Sequence, residues 1–141
     1  GGGDPAPTPT PPPTVSVATL VKKAWTASSA QWDGVVKYDK TSTSNVVQGY
    51  SQYKLDLSTA GSVTLTEFDG KIFTGTYTVA TDGLSLTLNG LTSAEGAPTG
   101  TGGTISYTIL STPTATGLSL QQTTAYVKAS SAIVKLALVN P

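Results

Sequence analysis

The stretch KIFTGTYTVATDGLSLTLNG, Lys71–Gly90, decides the fold. Phe73, Tyr77 and Val79 fall on one side of an extended chain, with Gly75 between them and Thr residues on the other side. After Asp82-Gly83, Leu84, Leu86 and Leu88 alternate with Ser85 and Thr87. Period-two alternation is the signature of a half-buried strand. Asp-Gly accepts the positive φ of a tight hairpin turn, whose twist matches that of the flanking strands. The twenty residues therefore read as two antiparallel strands that hide one face.

The same grammar extends in both directions. Asp33-Gly34 and Asp69-Gly70 also sit between β-rich segments, whereas Asn89-Gly90 reads as a strand end. Strands are expected near Val21–Gln31, Val35–Asp39, Tyr50–Ser58, Ser62–Phe68, Lys71–Ala80, Leu84–Asn89, Thr104–Ser111, Leu118–Thr124 and Ala132–Val139. Tyr53, Leu55 and Leu57 share a face, as do Ile105, Tyr107 and Ile109, then Leu118 and Leu120, then Val134, Leu136 and Leu138. One apolar and one Ser/Thr face per strand implies a single interior. No residue from Gly96 to Val127 is charged. An open sheet edge there would lack the Lys or Glu that discourages pairing with other chains, so a closed sheet is favoured over a sandwich. The fold class is all-β, an antiparallel up-and-down barrel of about eight strands.

Ahead of this body, Gly1–Thr14 (GGGDPAPTPTPPPT) holds six of the nine prolines. It has nothing to bury and favours an extended, polyproline-like shape. Residues 1–15 are read as a tether and 16–141 as the domain. Leucine-free polar runs at Lys40–Gly49, and the Gly- and Thr-rich Leu91–Gly103, are too long for tight turns. Each is either a flap at a barrel mouth or a plain connection.

Composition narrows the function. Eight Lys balance eight acidic residues and Arg is absent, so no basic patch exists for nucleic acid. Without Cys there is neither a disulfide nor a thiolate metal site, and without His the commonest general base and metal ligand are missing. Charged residues form 11% of the chain against roughly 25% in ordinary globular proteins. Ser and Thr take their place, as suits a protein working outside the cytoplasm. Glu67 and Asp69 flank Phe68 and are the only carboxylate pair to consider for a glycosidase-like or Ca²⁺ site, but a solvated strand end explains them better. No catalytic residue, metal ligand or cofactor is expected.

Several segments together resemble a known family. They are LVKKAW at Leu20–Trp25 with Asp33-Gly34 following, VTLTEFDG at Val63–Gly70, FTGTY at Phe73–Tyr77 and LSLTL at Leu84–Leu88. Across Thr19 to Leu88 the chain is similar to the lipocalin-like domains of bacterial cell-envelope lipoproteins. The resemblance implies an up-and-down barrel opened by a Trp-bearing strand. It also implies an extracytoplasmic place at the bacterial envelope, with a lipid anchor upstream of a spacer like Gly1–Thr14. Lipocalins proper carry Gly-x-Trp and an Arg over the indole. Here Lys23 holds the Gly position and no Arg exists, so that plug cannot form.

The expected role is non-enzymatic binding of a small apolar or amphipathic molecule by a monomer, with Trp25, Tyr53, Phe73, Tyr77 and Tyr107 lining the interior. The alternative is a structural or adhesion-type module with a filled barrel. It would contact glycan or protein through loops and through Trp32, Tyr38 and Tyr50 near the turns. Gly75 and Ser29 are the inward positions small enough to leave a recess.

Overall fold

The computed structural model describes Gly3 and residues 15–141; the rest of the tether lies outside the described residues. Nine strands follow in chain order: β1 (Ala24–Trp32), β2 (Val35–Asp39), β3 (Lys54–Asp56), β4 (Ser62–Thr66), β5 (Ile72–Val79), β6 (Ser85–Thr92), β7 (Ile105–Ile109), β8 (Gly117–Gln122) and β9 (Val134–Val139). Every expected strand is present. From β3 onward each pairs antiparallel with the next, and β9 pairs back onto β1. The ring β1-β3-β4-β5-β6-β7-β8-β9 is a closed eight-stranded barrel, with β2 as an extension.

β1 carries the closure because it has three partners. Its first residues pair with β3 (Trp25 opposite Leu55), its last with β2 (Trp32 opposite Val35), and its length with β9. The Asp33-Gly34 turn makes this possible. Both residues have positive φ, 50° and 79°, so β1 folds straight into β2. Asp33 also clamps the neighbouring loop: its N–H donates to the Ile133 carbonyl (3.0 Å) and its Oδ1 accepts from the Ile133 N–H (2.8 Å).

Three expectations needed correction. The first strand begins at Ala24 rather than Val21, because Val17–Leu20 form a one-turn helix, α1, capped by Ser16 and ended at Val21. Four residues are too few to show helical periodicity. The third strand shrinks to Lys54–Asp56 because a 3-10 turn occupies Gln48–Gln52. Asn89-Gly90 does not end a strand but forms a bulge within β6, which runs on to Thr92. Gly90 takes φ +60°, and the register with β5 slips between Thr74 and Thr76. A Cβ on Gly75 would sit inside the Asn89 carbonyl oxygen, so Gly75 accommodates backbone and leaves no recess.

Strand polarity sorts the connections into two ends. α1 and the connections 57–61, 80–84 and 110–116 lie at one end. There α1 seals the opening: Val17 is packed on the core, Val21 is fully buried, and Lys23 Nζ donates to the Ala115 carbonyl at 2.6 Å. The Trp25 indole N–H donates to the Val21 carbonyl at 2.8 Å. That bond satisfies the indole N–H. The Asp33-Gly34 turn and the segments 40–53, 67–71, 93–104 and 123–133 lie at the opposite end. Both long polar segments singled out in the sequence therefore share one mouth. Neither stands away from the barrel. Leu91 and Pro98 are buried, Leu91 N–H donates to Gly103 O (2.9 Å), and Asn45 accepts from Asp39 N–H (2.9 Å).

The alternating faces point as expected, with Leu55, Leu57, Leu65, Leu86, Leu88 and Leu120 fully buried. Leu84 is the exception at 58% exposed, because it belongs to the Asp82-Gly83 turn and not to β6.

Candidate functional site

The end that carries the long loops holds nearly all of the buried polar chemistry. Glu67 leaves β4 pointing inward and is only 3% exposed. The solvated strand end expected for it is thus overturned. The four-residue turn Glu67–Gly70, closed by Gly70 N–H to Glu67 O (2.9 Å), carries Glu67 into the barrel and Asp69 toward its rim. Across the mouth, a 3-10 turn at Val127–Ala129 presents Tyr126 on one flank and Lys128 on the other. The Tyr126 hydroxyl donates to Glu67 Oε2. The Lys128 ammonium lies 2.9 Å from Asp69 Oδ2.

Burial dominates the electrostatics. It raises the Glu67 carboxyl above its ordinary value, against the opposing hydrogen bond from Tyr126 and the positive charge of Lys128. Burial also raises the phenols of Tyr53, Tyr107, Tyr50 and Tyr126, and the Glu67 charge adds to the effect. At Asp69 burial pushes upward too. The hydrogen-bonding contact from Lys128, then the Lys71 backbone N–H and the charge of Lys128, prevail, and the carboxyl sits below its usual range.

Aromatic rings fill the space beneath. Tyr50, on the 3-10 turn between β2 and β3, packs against Phe68 (4.9 Å between centroids), Tyr53 (5.8 Å) and Tyr38 (6.0 Å), and its hydroxyl accepts from the Trp32 indole at 2.9 Å. Tyr38 and Tyr50 are 5% and 2% exposed. They are packing residues under the loop and not open platforms for a sugar ring; Trp32 is partly buried against Phe68.

The five residues expected to line a ligand cavity are all interior, from 0% exposed at Trp25 to 8% at Tyr77. They do not form one group. Trp25 and Tyr77 belong to the sealed end, where the Tyr77 hydroxyl donates to Leu57 O at 2.9 Å. Tyr53, Phe73 and Tyr107 lie toward the mouth, beside the Glu67 cluster. Two recesses at that mouth are bordered by core residues, and both are small. One of about 100 Å³ is bordered by Ile105, Gln122 and Tyr126. Another of about 60 Å³ is bordered by Phe73, Glu95 and Lys128. Among the described residues, no group of three or more His, Cys, Asp or Glu is placed to hold a metal ion.

Sequence reasoning missed Tyr126 and Lys128. Lys128 ends the uncharged run from Gly96, which is a weak cue. Nothing along the chain links it to Asp69, 59 positions away.

A closed eight-stranded barrel sealed at one end by a short helix is a lipocalin-like fold, and comparison with solved structures agrees. A lipocalin-like protein from Bacteroides uniformis superposes with a TM-score of 0.53 at 13% identity, over 86% of this chain and 99% of that one. At that identity the likeness shows the fold alone. No family model and no curated protein matches the chain.

Proposed function

We propose that the protein is a non-enzymatic interaction module of the bacterial cell envelope, a filled lipocalin-like barrel that meets a protein or glycan partner with its loop-bearing end. The observation that carries this reading is the packed interior. Trp25, Leu55, Leu65, Leu86 and Leu88 are inaccessible, and the two mouth recesses bordered by core residues hold a few water-sized groups rather than a ligand of ordinary size. The exposed apolar residues at the same end, Val35, Val36, Val46 and Val127, give a partner something to cover. The Ser- and Thr-rich surface and the proline-rich leader support a tethered place outside the cytoplasm.

One observation favours the carrier of a small apolar or amphipathic molecule instead. The Tyr53 hydroxyl is buried beside Tyr107 without an aligned hydrogen-bond partner, which leaves a polar atom in the core for something else to satisfy. Native mass spectrometry of protein purified from its own host separates the two. The filled module predicts the mass of the bare chain. A reproducible adduct of one small molecule, lost in Tyr107→Leu, would replace it with the carrier. Surface labelling of intact host cells tests the location.

A further inference from the structure

We propose that the recess between β7 and the segment following β8 is a socket for one uncharged sugar residue of a glycan. The inference rests on the interaction module proposed above and names what its loop-bearing end takes.

The recess exists because two paired strands part. β7 and β8 stay together as far as the Tyr107–Gln122 pair and the bond from Thr123 N–H to Ser106 O (3.0 Å). Beyond that point the chain leaves the sheet and runs to Tyr126, whose N–H donates to Ala132 O (2.9 Å). The gap left between the two holds about 100 Å³ and is bordered by Thr104, Ile105, Ser106, Gln122, Thr124 and Tyr126.

Its chemistry is uniform. Every residue that lines it belongs to the uncharged run from Gly96 to Val127. The walls are hydroxyls and one carboxamide, with Ile105 the one large aliphatic side chain. Some of these groups are already engaged. The Tyr126 hydroxyl donates to Glu67 Oε2, and the Thr101 hydroxyl donates to Pro98 O at 2.7 Å. Gln122 differs from them. Its side chain is 5% exposed and touches the Tyr107 hydroxyl. A carboxamide carries two donor hydrogens and an acceptor oxygen, so that contact leaves hydrogen-bonding capacity over in a place screened from bulk water. A polar group entering the recess would satisfy it.

The class of ligand follows from the walls. An ionised group would lose its water there and meet no opposite charge in return. The usual anchors of a protein partner are aromatic or Arg side chains seated in well-packed pockets, and this recess offers an Arg no acid. The edge of a sugar ring presents neutral hydroxyls that both donate and accept, which Gln122, Thr104, Ser106 and Thr124 can answer in kind. Thr104 and Thr124 are exposed, so the socket opens outward and a glycan can reach it without the barrel parting. Its volume takes part of one ring, in keeping with a filled interior.

Two-dimensional amide NMR of the full chain tests this, with the methyl glycosides of glucose, galactose, mannose and N-acetylglucosamine added in turn at neutral pH. At least one should give saturable shifts confined to residues 104–106 and 122–126. Methyl glucuronide should bind about tenfold more weakly than the best neutral glycoside. Gln122→Met, and separately Ser106→Ala and Thr124→Val nearer the rim, should each weaken binding by about fivefold while the rest of the spectrum stays in place. The two rim variants keep the test decisive if Gln122→Met fails to fold. No saturable shift from any of the four, shifts centred elsewhere, or a glucuronide bound as tightly as the neutral sugars overturns the socket. A protein partner that moves these amides when the glycosides do not overturns the choice of a sugar. A bare-chain native mass without any glycoside shift removes the socket and leaves the filled module standing, whereas a small-molecule adduct lost in Tyr107→Leu removes the module itself.

Discussion

Glu67 is the residue whose environment most contradicts its chemistry. A carboxyl group at 3% exposure is tolerable only if it is hydrogen-bonded or neutral, and here burial raises its affinity for a proton while Tyr126 satisfies one oxygen. Trp25 is the opposite case, an amphipathic ring with both needs met. Its ring is wholly buried, and its N–H reaches the end of α1. Truncating it to Ala leaves a large cavity and should cost about 3–5 kcal/mol. Urea titration followed by far-UV circular dichroism would measure this; a loss below about 1 kcal/mol would contradict the burial. Gly75 is constrained by backbone and not by side chains. Gly75→Ala drives a methyl into the Asn89 carbonyl and should destabilise by about 1–3 kcal/mol. The glycine at 34 instead serves φ, and its replacement tests the turn rather than the packing.

At the scale of elements, β1 and β6 carry the architecture. β1 meets three strands, so its amides can exchange only when the barrel opens as a whole. Native-state hydrogen exchange should therefore find the slowest amides in Ala24–Trp32 and much faster ones in β2, which has one strand partner and exposed Val35 and Val36. Protection in β2 equal to that in β1 would mean its outer edge is covered. The β6 bulge bends the strand over Gly75 and keeps Leu91 in the core at 1% exposure. Gly90→Ala forces a side chain into the left-handed region and should cost about 1–2 kcal/mol, measurable as a lower thermal midpoint.

The whole molecule has a pH signature set by opposing carboxyls. Asp39 and Asp56 are held below their ordinary value of 3.8 by hydrogen bonds from Thr41 and Ser58, so the stability they supply is lost as pH falls below 3.8. Glu67 is displaced the other way. Its unfolded form releases a proton from about 4.5 upward while the folded form retains it, so its contribution is full below 4.5 and declines as pH rises. Thermal stability should peak between 3.8 and 4.5 and fall toward neutrality, which calorimetry across pH 3–8 would show. A plateau from pH 5 to 8 would mean that Glu67 ionises as easily folded as unfolded.

What the sequence determined by itself is whatever repeats locally. Strand alternation places Tyr53, Leu55, Ile105, Tyr107, Leu120 and Leu136 indoors, because side chains on an extended backbone can only take two sides. The Asp-Gly pairs at 33, 69 and 82 fix hairpins, because few other residues accept that backbone. Closure followed from an uncharged run that no open edge could expose. Tertiary structure alone decided the rest. The Glu67–Tyr126 and Asp69–Lys128 pairs join residues 59 positions apart, through the register of four intervening strands, and no local pattern encodes that distance. Helix α1 and the bulge at Gly90 exist because the closing barrel needed a seal and a bend. Whether the interior would be hollow or solid depended on how Tyr50, Phe68 and the loop-end rings interlock, and packing of that kind is fixed only when every strand has found its neighbour.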